Sequence, residues 1–204
     1  MKEKFVDIAA SNSEVILDSL LENGLLKDIP ILGNIVSALR LKGDVANFLF
    51  AKKLEAFLVK LKSGNVDVID PCIVDIEMLT KVGSDLVFIL ERASNLDKAK
   101  WLAQAVIGLT ERLYDLDTFE RLIYVIDRFS PTLKSTMDVW YWKRDLSDGQ
   151  SYAFTYDADH PDELANLGLL KRKYEAKITN DGSIPVRYEE CNLGQQLWHI
   201  IEKA

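Results

Sequence analysis

The feature that most constrains this chain is a stretch without charge, residues 29–39. It is followed, after Arg40, Lys42 and Asp44, by a second apolar run over residues 45–51. That much apolar surface has to leave water, either in a protein core or in a membrane. A permanent transmembrane helix needs about 20 consecutive apolar residues, and the three charged side chains interrupt the run too early. Two readings stay open. One is a pair of buried core helices. The other is a hydrophobic hairpin, sheltered in the resting protein and exposed or inserted after a trigger. Three features favour the second. The apolar residues do not keep to one helical face, as those of a surface helix would. Gly24, Gly33 and Gly43 supply hinges or points of close packing. Lys52, Lys53, Lys60 and Lys62 lie beyond the run, where anionic headgroups would attract them. On that reading the residues touching a membrane or a second copy are Ile29, Ile31, Leu32, Gly33, Ile35, Val36, Leu39, Phe48 and Leu49.

The rest of the chain reads as mainly helical. Ser11 and Glu14 stand at capping-box spacing ahead of Val15, Ile16, Leu17, Leu20 and Leu21, and Gly24 is placed to end that helix. After the apolar run a helix passes through Phe57, Leu58 and Leu61 and closes at Ser63-Gly64-Asn65. Asp70-Pro71 opens another, expected to break near Gly83 and resume over residues 84–92. Asn95 precedes a helix over residues 96–113 with Leu102, Val106 and Leu109 on its apolar face. Asp115 or Asp117 caps the next, in which Phe119, Leu122, Ile123, Ile126 and Phe129 form a core-facing stripe. Ser130-Pro131 starts one more, ending in Val139-Trp140-Tyr141-Trp142.

Beyond residue 147 the pattern changes. A short helix over residues 161–167 precedes two strands, over 169–177 and 184–191, joined at the turn Asn180-Asp181-Gly182-Ser183. Asn192 is placed to cap a last helix carrying Leu197, Ile200 and Ile201. The expectation is therefore a mainly α protein in three parts. An N-terminal apolar helical region spans residues 1–66, a central helical bundle 67–146, and a small α+β tail of winged-helix type 147–204.

Charge and motifs narrow the function. Residues 1–66 hold nine Lys and Arg against eight Asp and Glu, and the remainder sixteen against twenty-four, for a net charge of −7. That balance argues against general nucleic-acid affinity. A winged-helix tail invites a DNA-binding reading, but residues 145–170 carry six carboxylates and no Lys or Arg, a surface that phosphates would repel. The expected wing mixes Lys171, Arg172, Lys173, Lys177 and Arg187 with Glu175, Glu189 and Glu190, which suits protein contact or packing better. Asp162, Glu163, Lys171 and Lys173 are the candidate partner-binding residues.

His160 lies among Asp157, Asp159, Asp162 and Glu163, without a second His or a Cys at ligand spacing, so a solvated acidic surface is expected rather than a metal site. No G-x-S-x-G elbow, phosphate-cradling glycine loop or H-E-x-x-H motif is present. Neither catalysis nor a cofactor is expected. Cys72 and Cys191, far apart in sequence, read as reduced thiols of a cytosolic protein, and the charged start Met1-Lys2-Glu3-Lys4-Phe5 shows no export signal.

One resemblance adds to this. The run Ile16-Leu17-Asp18-Ser19-Leu20-Leu21-Glu22-Asn23-Gly24-Leu25-Leu26-Lys27-Asp28-Ile29-Pro30-Ile31-Leu32-Gly33, followed by Phe50-Ala51-Lys52-Lys53-Leu54, resembles the opening of a scattered group of small bacterial proteins. Leu96-Asp97-Lys98-Ala99, Leu167-Gly168-Leu169-Leu170 and Leu193-Gly194-Gln195-Gln196-Leu197 extend the likeness to the middle and to a winged-helix-like tail. Some proteins of that group are associated with phage defence, including abortive-infection proteins and membrane-pore effectors. The resemblance implies a cytoplasmic effector, soluble until a phage structural protein triggers it. It would then oligomerise and reach the membrane. The tail departs from the group's pattern at Glu189-Glu190-Cys191-Asn192, where a Thr-capped helix start would stand.

Overall fold

The computed structural model describes residues 44–64, 76–141, 161–174 and 186–204, and for residues 44–48 and 76–82 the backbone alone. Among the described residues there are seven α-helices and one two-stranded antiparallel sheet, so this part is mostly helical. Two compact units are present, one ending at Asp127 and the other running from Arg128 to Lys203. The expected boundaries at residues 66/67 and 146/147 lie outside the described residues.

In the first unit, α1 (Asp44–Ser63) buries Phe50, Ala51, Leu54, Phe57, Leu58 and Leu61, a helical spacing that puts them on one face. It packs chiefly against α3 (Leu96–Thr110), and α2 (Ile76–Arg92) touches both. α3 is apolar nearly all round, and Ala99, Trp101, Leu102, Ala103, Ala105, Val106, Ile107 and Leu109 are all buried. Such a helix belongs at the centre of its unit. The Asn95 side chain caps it by accepting from the Lys98 amide at 3.0 Å. Asp115 does the same for α4 (Leu116–Arg128), accepting from the Thr118 amide at 2.9 Å. The stripe Phe119, Leu122, Ile123, Ile126 and Phe129 is wholly buried.

Among the described residues one charged side chain is buried in this unit. Lys98 is only 6% exposed and its ammonium donates to the Asp127 carbonyl at 2.6 Å, in the last turn of α4. There the helix leaves carbonyls without intrahelical partners. Burial pulls the Lys98 pKa down, and the Asp127 carboxylate opposes that.

The second unit begins with a 3₁₀ turn, Pro131–Leu133, that leads into α5 (Lys134–Tyr141). A short helix, α6 (Pro161–Asn166), precedes β1 (Leu170–Tyr174), which pairs with β2 (Val186–Glu190). α7 (Asn192–Lys203) packs on α5. Asp138 holds these two helices together, accepting from Trp198 Nε1 at 3.1 Å, while Lys134 bonds to Glu202 at 2.6 Å.

Several boundaries differ from the sequence expectation. α2 runs through Gly83 without a break. An isolated glycine costs a helix about 1 kcal/mol, and burial of Leu86, Ile89 and Leu90 just beyond it outweighs that. α3 stops at Thr110, not at Leu113, because the chain turns left-handed at Arg112 (φ 58°). Asn192 is not the cap of α7 but its first residue. Cys191 precedes it, and its carbonyl accepts the first intrahelical bond, from the Gln195 amide at 3.0 Å. The apolar run over residues 45–51 and the helix through Leu61 are one continuous helix. The helix expected from Ser13, the 180–183 turn and the strand ends beyond Tyr174 and before Val186 lie outside the described residues.

Candidate functional site

The hairpin of the second unit is built on a tyrosine. Tyr141, at the end of α5, is buried, and its hydroxyl donates to the Leu169 carbonyl just ahead of β1. The Cys191 amide, just after β2, donates to the Tyr141 hydroxyl oxygen at 3.5 Å, and the Cys191 thiol approaches the Gly168 carbonyl at 3.2 Å. One hydroxyl therefore fixes both ends of the hairpin. Burial, with a smaller push from Cys191, raises the Tyr141 pKa, so the phenol stays a neutral donor. Gly194 of α7 lies so close that a Cβ there would collide with the Tyr141 hydroxyl and the Leu169 carbonyl.

Strand alternation then sorts the side chains. Leu170, Arg172, Tyr174, Val186, Tyr188 and Glu190 share one face, and Lys171, Lys173, Arg187 and Glu189 share the other. On the first face Leu170 is buried, and Arg172 reaches back to α6. Its guanidinium donates to Asp162 Oδ1 at 2.8 and 3.0 Å, to the Asp162 carbonyl at 3.1 Å and to Asn166 Oδ1 at 2.8 Å. The Tyr188 hydroxyl, from β2, donates to the same carboxylate oxygen at 2.7 Å. This tyrosine and then Arg172 hold the Asp162 carboxyl below its ordinary range. Trp140 meets the Tyr188 ring edge-on, with centroids 6.3 Å apart. An exposed ion pair alone contributes little, but a planar fork with several acceptors fixes geometry. α6 and both strands are thereby clamped in one orientation.

Among the described residues the opposite face is entirely charged and exposed: Lys171, Lys173, Arg187 and Glu189. Lys171 stands opposite Glu189, and Lys173 opposite Arg187. The Lys173 ammonium turns diagonally to Glu189 at 2.5 Å. At the open end of the described ladder, Tyr174 (68% exposed) faces Val186 (39%).

The residues nominated from sequence fall in different places. Ile29, Ile31, Leu32, Gly33, Ile35, Val36 and Leu39 lie outside the described residues, as does the side chain of Phe48. Leu49 is 57% exposed on α1. Asp162 sits in the clamp on the inner side of the hairpin, Glu163 is exposed on α6, and Lys171 and Lys173 belong to the outer face. The four are not one site. Sequence reasoning gave no role to Tyr141 or Tyr188, and counted Arg172 only among the charges of the wing. For the last two a signal existed: they share the parity of the apolar Leu170, which marks the inner face.

Among the described residues no three His, Cys, Asp or Glu side chains stand together as metal ligands, and no helix is long and apolar enough to cross a membrane. His160 lies outside them. No family model, curated protein or solved structure matches this chain.

Proposed function

We propose that the chain is a non-enzymatic protein-recognition module whose contact surface is the outer face of the β1–β2 hairpin. The order of short helix, hairpin and closing helix is that of a winged-helix end, used here for protein contact. One observation carries the reading. Four exposed charged side chains are presented by a hairpin whose inner face is already held by Arg172, Asp162 and Tyr188 and whose base is held by Tyr141. A surface fixed before binding loses little freedom when a partner arrives. The test is reconstitution with a partner identified by co-purification. Reversing Lys171 and Lys173 to Glu should weaken the purified complex by about tenfold or more, while Lys100→Glu on α3 should leave it intact. Equal affinity of the two variants would refute the reading.

A second reading rests on the uncharged residues 29–39. On this reading the protein is a bacterial anti-phage effector that stays soluble until a phage structural protein binds. It then oligomerises and inserts Ile29, Ile31, Leu32, Ile35, Val36 and Leu39 into the membrane. Dye-filled anionic liposomes supply the test. Leakage should need both the protein and a phage structural protein, and Ile35→Asp should abolish it. Absence of leakage with every phage structural protein tried would refute it.

A further inference from the structure

We draw no further inference here: the strongest candidate, the surface patch formed by the exposed rings of Phe88 and Tyr124 where α2 meets α4 through the Asp85–Tyr124 and Arg92–Asp127 contacts, carries nothing because nothing in the structure shows what covers it.

Discussion

Tyr141 joins three segments through one oxygen, and its loss should be felt well beyond its own helix. Tyr141→Phe keeps the buried ring but leaves the Leu169 carbonyl without this donor. A buried acceptor losing its partner costs about 1–3 kcal/mol, and urea unfolding should show a fall of that size. The same variant carries a pH signature. Burial raises the pKa values of Tyr114 and Tyr141 in the folded chain. Their protonated forms hold equally in both states below the unfolded value near 10. Above it the unfolded chain releases protons that the folded chain keeps. Stability then falls by up to about 1.4 kcal/mol per pH unit for each tyrosine, until the folded value is reached. Tyr141→Phe should therefore lose stability less steeply between pH 10 and about 11 than the native chain does. The lowered pKa values of Lys53 and Lys98 act in the opposite sense, but both lysines are present in the two proteins and cancel in the comparison. Parallel slopes would show that Tyr141 is not buried as described.

Two helices end alike and differ in one residue. After α6, the Gly168 amide bonds to the Ala165 carbonyl at 3.0 Å and the Leu169 amide to the Leu164 carbonyl at 2.9 Å, with Gly168 at φ +75°. After α3, the Arg112 amide bonds to the Leu109 carbonyl at 3.0 Å and the Leu113 amide to the Gly108 carbonyl at 2.9 Å, with Arg112 at φ 58°. Both are Schellman ends. Gly168 is followed by the buried Leu169, which together with buried Leu164 gives the apolar pair that accompanies the motif, whereas Leu113 is exposed. A side chain in the left-handed region costs about 1 kcal/mol. Arg112→Gly should accordingly raise stability by about that much, less the glycine's extra unfolded-state entropy. Thermal unfolding would show it as a higher Tm, and a clear drop would contradict the motif. In α4 the buried stripe leaves no room for adjustment, so Ile123→Ala should cost about 2–5 kcal/mol in the same measurement.

These elements also show what a sequence can reveal. The α4 stripe was legible because five apolar residues repeat at helical spacing, and the Asn95 and Asp115 caps because their side chains act locally. The end of α3 was not legible, since glycine, and after it Asn or Asp, signals a left-handed residue and position 112 is an arginine. Gly83 misled for the opposite reason: local propensity yields to tertiary burial of its neighbours. In the candidate site, the strands and the cationic residues could be read, but the partners could not. Tyr141 meets Leu169 across 28 residues and Tyr188 meets Asp162 across 26, pairings that only the tertiary fold creates.

At the scale of the whole molecule, the charge pattern and the hairpin point the same way. An anionic chain that presents a small cationic face on a clamped hairpin is arranged for selective protein contact rather than for adhesion to any polyanion. The described part of the chain carries that reading without the uncharged run at residues 29–39, so the two proposed roles can be tested apart. The most direct measurement is site-resolved photocrosslinking in living cells, with the reactive residue placed in turn at position 171 on the outer face, at position 162 in the clamp and at position 100 on α3. A single discrete protein adduct from position 171, absent at 162 and 100 and lost when Lys173 is reversed to Glu, is the predicted result. Adducts of equal yield at all three positions, or none at 171, would contradict the assignment of the hairpin's outer face as the recognition surface.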